Sequence, residues 1–278
     1  MKTTLTALIA FLFICTTSGY AEKVKGNGNI ISKEIQITDY TELNIRVKIN
    51  YNNNSSLFKK KEYKGPAFNY MQKSGSSNLQ ITVDENLLPL LDIYVSDGCL
   101  YVRTNKEKQE LYPTKFIINS SSHTLEKAKI SGSMDFFLQN NLSGENLKVE
   151  VSGAADVYMN KPVRIANACE IKVSGAGDME AKDLICGNIK AGVAGAGDLN
   201  LKGKAEKGEY KVSGSGDISA YGFIVKDLSC KVSGSGDIEA YATETLEASA
   251  SGSGDICYKG NPKANTRCSG AADITRVK

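Results

Sequence analysis

The chain has 278 residues, with 34 Lys and Arg against 31 Asp and Glu, 26 Gly, 8 Phe, 13 Tyr and no Trp. So even a charge balance argues against a general nucleic-acid binder, which carries a large basic excess. A single histidine, His123, excludes His-rich metal sites and argues against most Ser/His/Asp or Cys/His catalysis. The length suits one large all-β domain or two small ones, with ample chain for a buried core.

Residues 1–21 read as a secretory signal peptide. Lys2 supplies the charged start, Leu5 to Cys15 the apolar stretch, and Gly19-Tyr20-Ala21 a small-x-small cleavage site. The apolar run is too short to span a bilayer. Lipidation at Cys15 is the competing reading, but Ile14 is larger than the residue that normally precedes a lipidated cysteine. The expected mature chain is exported, to the periplasm, the outer-membrane surface or the medium, with no transmembrane segment.

Residues 22–122 form a less regular β-rich region, expected to supply the opening coils or a cap. Apolar residues alternate at Ile35/Ile37 and at Leu43/Ile45/Val47/Ile49, and Leu79–Val83 and Leu100–Val102 read as two further strands. Asn86 to Pro89 and Asp97-Gly98 mark turns. Residues 52–78 are polar, contain Gly65-Pro66, and read as an inserted loop. Its Lys59, Lys60, Lys61, Tyr63 and Lys64, with Lys73 and the interleaved Phe58, Phe68 and Tyr70, form a candidate ligand-contact surface. A solvated charged loop is the plainer alternative.

From 123 to 278 the chain repeats itself. The phrase Ser-Gly-x-Gly-Asp, or a close variant, ends at Asp135, Asp156, Asp178, Asp198, Asp217, Asp237, Asp255 and Asp273, at steps of 21, 22, 20, 19, 20, 18 and 18 residues. Its flanks alternate with period two, as in Leu147/Val149/Val151 and Cys169/Ile171/Val173 before the bend and Val157/Met159 after it. A unit of about 20 residues cannot close its own core, but coiling lets like positions stack into inward ladders. A β-propeller needs about 40 residues per blade, and helices would not tolerate a glycine bend at every repeat. The expected fold is an all-β solenoid, a parallel β-helix with about 20 residues per coil.

Stacking the coils also stacks the aspartates. At the strand spacing of about 4.8 Å, two carboxylates repel by about 0.9 kcal/mol in water and about 3.5 kcal/mol at an effective dielectric of 20. Three remedies exist: hydrogen bonds from backbone N–H groups of the bend, flanking lysines, or bound cations. The phrase lacks the spacing of Ca²⁺-binding β-rolls. A uniform row also argues for structure over catalysis, because an active site departs from a repeat at one place. The eight aspartates are therefore read as a structural turn ladder, with no catalytic, cofactor or metal residue assigned. The glycines are expected to supply positive φ and close backbone approach.

Six cysteines follow the signal. Cys169, Cys230 and Cys268 have inward parity and read as small buried apolar groups, Cys257 has outward parity, and Cys186 falls in a variable connection. An even count in an exported chain also invites disulfides. His123, beside Ser120-Ser121-Ser122, reads as a surface or capping residue.

The opening Gly26-Asn-Gly-Asn, the segment Asp84-Glu-Asn-Leu-Leu, Asp97-Gly-Cys-Leu and the serial Ser-Gly-x-Gly-Asp-Ile phrases resemble the head GIN domain of autotransporter adhesins, secreted proteins frequent in Bacteroidetes. The resemblance spans about residues 24–276 and implies a right-handed β-helix without catalytic residues, with a role in adhesion. The expected function is thus that of an exported, non-enzymatic, adhesin-like or structural protein of the cell envelope. Its partner would be a surface glycan or an envelope protein, and no cofactor is expected. The alternative is a carbohydrate-active β-helix enzyme of the lyase or glycosidase kind, which needs two acids singled out from the row.

Overall fold

The computed structural model describes residues 21–50 and 65–278. The signal segment up to residue 20 and the cluster Lys59, Lys60, Lys61, Tyr63 and Lys64 lie outside the described residues. Among the described residues, no helix is long and apolar enough to cross a membrane.

The repeat half is a parallel β-solenoid. Strand Leu142–Val151 pairs in parallel with Val163–Val173, which pairs with Met179–Val193, and so on through Leu199–Val212, Ile218–Val232 and Ile238–Gly252. The pairing puts equivalent residues of successive coils side by side. Val151, Val173, Val193, Val212, Val232 and Ala250 form one inward column. Val157, Met179, Leu199, Ile218, Ile238, Ile256 and Ile274 form another on the far side of the bend. Most members of both columns are fully buried, and each such aliphatic side chain contributes about 1.5–3 kcal/mol by leaving water. Period-two alternation becomes structure in this way: alternate positions build the columns and those between them face solvent.

The Asn52–Asn78 loop expectation needs correcting. Ala67–Gln72 is a strand, paired in parallel with Phe116–Ser122 on one side and Asp135–Leu138 on the other. Phe68 and Tyr70 are fully buried; Phe68 stacks on Phe136 at 6.0 Å, so neither ring belongs to a contact surface. The strand alternates as Phe68/Tyr70 inside and Asn69/Met71 outside, a signal diluted by the long polar stretch before it.

Three antiparallel contacts close this end of the solenoid. Ile30–Ile35 pairs with Asn78–Asp84, that strand with Phe116–Ser122, and Leu91–Ser96 with Cys99–Thr104. The last pair is a two-residue hairpin whose Asp97 and Gly98 have φ of 51° and 71°, the left-handed values that such turns require. Parallel rungs would otherwise present an open edge here. The core runs unbroken from this cap into the coils.

The bend glycines answer a steric demand rather than a conformational one. From Gly132 to Gly236 no bend glycine has positive φ, contrary to the sequence expectation. A Cβ on Gly195 would instead lie 2.0 Å from the carbonyl oxygen of Gly175, and one on Gly197 would lie 2.1 Å from that of Gly177. Successive bends nest backbone on backbone, so the first glycine of the phrase stands in all eight copies, whereas the second gives way to Met134, Ala155 and Ala272 in the first two and the last.

Candidate functional site

The aspartate column exists as a column, and its hydrogen bonding is specific. Oδ1 of Asp135 accepts the backbone N–H of Asp156 at 2.8 Å, and Oδ1 of Asp156 accepts that of Asp178 at 2.9 Å. The chain of bonds continues through Asp198, Asp217, Asp237, Asp255 and Asp273 at 2.7–2.8 Å. The donor is thus the aspartate one coil on, not the bend's own N–H groups. Each charge-assisted bond of this type offsets part of the repulsion between neighbouring carboxylates. The aspartate carbonyls are used as well: Val157 N–H donates to the Asp178 oxygen and Met179 N–H to that of Asp198, both at 2.9 Å.

At Asp156 the column gains a further donor. The Tyr158 hydroxyl donates to Oδ2 of Asp156 at 3.1 Å. Burial, and then the Asp156 charge, push that phenol up to about 12, so it stays protonated. Phe137 stacks on Tyr158 at 5.0 Å. This aromatic pair breaks the uniformity of the row, but it brings no second carboxylate to Asp156. Among the described residues no three His, Cys, Asp or Glu side chains are placed to hold a metal ion.

The six described cysteines are free thiols. Cys169 and Cys230 are buried as their parity implies, whereas Cys186 and Cys268 are placed differently from expectation. Cys186 lies inside strand Met179–Val193, opposite Ile165 and Ala205, and is buried. Burial pushes its thiol up to about 12. Cys268 has inward parity above Ala250 but is exposed, because no described rung covers strand Lys263–Gly270. Inward parity protects a side chain only when another coil follows.

His123 is exposed, and its carbonyl accepts Nε2 of Gln72 at 3.0 Å. It stands at the rim of an open groove of about 810 Å³ that crosses the first regular coils, with Ile165 and Ile185 in its floor. The groove's charged groups are already engaged. Arg164 Nη2 pairs with Asp183 Oδ2 at 2.7 Å, and Glu145 Oε2 accepts Asn167 Nδ2 at 3.0 Å.

One functional element was missed by sequence reasoning although its residues were noticed. Asp84 is buried, and its carboxylate accepts N–H groups of Gly28 at 2.8 Å and Thr114 at 2.7 Å. Burial alone would raise its pKa, but these bonds outweigh burial and hold the carboxyl below its ordinary value. Gly26 has no room for a Cβ, which would sit 2.3 Å from the Asp84 carboxyl carbon. Asn86 completes the clasp, accepting from Asn27 N–H at 2.9 Å and donating to the Lys25 carbonyl at 2.8 Å. The pairing of Gly-Asn-Gly-Asn with Asp-Glu-Asn is a long-range lock, and a carboxylate isolated after a run of apolar alternation was its signal.

A parallel coil with a backbone-bonded carboxylate column and an antiparallel cap defines a repeat scaffold that offers long faces rather than one cleft. The chain belongs to the family described as "Putative auto-transporter adhesin, head GIN domain", whose pattern matches residues 57–262. Its fold is similar to that of a "putative adhesin" from Parabacteroides merdae, at 30% identity and a TM-score of 0.81 over 93% of this chain and 100% of that one. A "putative adhesin" from Parabacteroides distasonis is similar at 32% identity, with a TM-score of 0.80 over 92% and 100% of the two chains. A "Putative lipid binding protein" from the same organism is similar at 28% identity, with a TM-score of 0.83 over the same shares. No curated protein sequence matches the chain.

Proposed function

We propose that this chain is an exported, non-enzymatic solenoid that holds a ligand-binding face at the cell surface or in the periplasm, as an adhesin or a structural envelope component. The observation that carries the reading is the bonding pattern the aspartates share. Each carboxylate from Asp135 to Asp255 is committed to the N–H one coil on. A glycosidase instead needs two acids with contrasting environments facing one bond. Family membership supports the adhesin-like reading. The cluster at Lys59, Lys60, Lys61, Tyr63 and Lys64 is retained as a proposed contact, and the aspartate row as a proposed structural ladder.

The test is binding of the purified chain to whole envelopes and a glycan array, run beside assays for sugar release from acidic and neutral polysaccharides. Saturable binding without sugar release is the expected result; turnover of any polysaccharide sinks the proposal. Replacing residues 52–64 with a short Gly/Ser linker tests the lysine cluster while leaving strand Ala67–Gln72 intact.

A further inference from the structure

Strand register brings together residues that are far apart in the chain. One outward column runs Tyr94, Tyr101, Asn44, Lys129, Glu150, Lys172, Gly192, Lys211, Lys231, Ser249 and Arg267, each opposite the next on the neighbouring strand. At about 4.8 Å per strand it follows the whole length of one face. Five of its members are cationic and one is acidic.

The adjacent outward column makes the contrast. There Lys127 pairs with Glu42 at 3.1 Å, Lys148 with Glu170 at 3.5 Å and Lys190 with Glu209 at 3.7 Å, so charges on neighbouring strands cancel. Lys148 also neutralises Glu150 at 2.9 Å, the one acid of the cationic column. Lys172 pairs with Glu170 at 2.5 Å, whereas Lys129, Lys211, Lys231 and Arg267 make no ion pair with any described residue. Lys211 and Lys231 are directly opposed, a like-charge contact that destabilises a sheet. The adjacent column pairs its lysines with its own glutamates, although Lys127 also stands opposite Lys148, while the first column keeps four unpaired cations.

Two further features shape this row. Gly192 leaves a gap in it: the nearest atom to an added Cβ would be the Lys211 carbonyl oxygen at 3.9 Å, so the missing side chain is not a steric necessity. Gly192 lines a hollow of about 370 Å³ together with Lys129, Lys172, Lys211, Ser174 and Ser213, and with Glu150, which Lys148 neutralises. At the head of the row Tyr94 and Tyr101 stack at 5.1 Å, with the Arg103 guanidinium 5.3 Å from the Tyr94 ring. Both rings are half-buried and present a flat apolar surface beside charge.

We propose that this column binds a linear acidic polysaccharide laid along the rod, its carboxylate or sulfate groups on Lys129, Lys211 and Lys231 and a sugar ring against the Tyr94–Tyr101 pair. This inference rests on the ligand-binding reading above and names the ligand class and the face. A single file of cations suits a single-chain polymer with spaced charges, and the near-neutral net charge of +3 argues against nucleic acid.

The test is biosensor binding of the purified chain to polygalacturonate, with neutral dextran and an oligothymidylate as controls. Polygalacturonate is expected to bind in a salt-sensitive manner and the two controls not to bind. The triple variant K129A/K211A/K231A should weaken binding at least about tenfold, whereas K161A/K202A/K204A, with the same charge change on other faces, should stay within about twofold. Gly192→Lys should tighten binding, and Gly192→Glu should weaken it. Equal losses in the two triples, equal binding of the oligonucleotide, or no tightening by Gly192→Lys would each overturn the proposal. If polygalacturonate does not bind but envelopes still do, this inference fails alone; if neither binds, the reading beneath it fails as well.

Discussion

Gly197 shows how little freedom the bend leaves a single residue. An added methyl would meet the Gly177 carbonyl at 2.1 Å, and that oxygen belongs to the backbone of a neighbouring rung, so it cannot swing aside. Gly197→Ala is expected to destabilise by roughly 3 kcal/mol, read as a fall in the urea midpoint. The same change at Gly192, where the nearest atom is 3.9 Å away, should move the midpoint little. Tyr210 presents the opposite case. It is fully buried in a column of small residues between Ala191 and Cys230, and its hydroxyl has no hydrogen-bond partner among the described residues. Two residues earlier, Gly208 leaves space that Leu228, Val225 and Ile189 fill, the first 2.8 Å from where a Cβ would stand. Removing an unpaired buried hydroxyl relieves its desolvation. Tyr210→Phe should therefore raise stability by about 1 kcal/mol, measured by the same denaturant titration.

At the scale of elements, the antiparallel cap and the opening strand depend on one ionised group. The Asp84 carboxylate ties the Gly28 turn to Thr114, and its folded-state pKa is depressed by those N–H donors despite burial. The unfolded chain therefore takes up the proton first. The stability this group contributes is complete above its ordinary value near 3.8 and is lost as pH falls through the folded one. Melting temperature should drop from about pH 4 downward. Asp84→Asn keeps one acceptor and loses the other, so it should cost about 2 kcal/mol at neutral pH and flatten the acid limb. An acid limb unchanged by that substitution would show that other carboxylates control it. Strand Ala67–Gln72 illustrates the limit of reading elements locally. Its alternation covers only six residues, and its partners lie at Phe116–Ser122 and Asp135–Leu138, so nothing nearby in sequence distinguishes it from the polar stretch before it.

The molecule as a whole is a one-dimensional stack, in which each rung is held by the two beside it. A rung with one neighbour is the weakest. Every residue of Lys263–Gly270 is exposed, whereas Leu199–Val212 lies between two strands and alternates buried and exposed positions. Native-state amide exchange should be at least about a hundredfold faster in the former strand. Equal protection in the two would mean that the rod opens only as a unit. The other end behaves differently, since antiparallel strands cover it and the same core continues beneath them.

Short-range pattern was enough to establish the solenoid: period-two alternation around a bend recurring every 18 to 22 residues admits few other ways to bury the apolar faces. It also gave the inward identity of Cys169 and Cys230, because their burial repeats that of their neighbours one coil away. What only the tertiary structure decided was everything that depends on a specific partner across space. The donor to each aspartate, the Asp84 clasp, the exposure of Cys268 and the cationic column running from Tyr94 to Arg267 all follow from which strand lies beside which. Periodicity states which way a side chain points; strand register, set by the packing of the whole stack, states what it meets there.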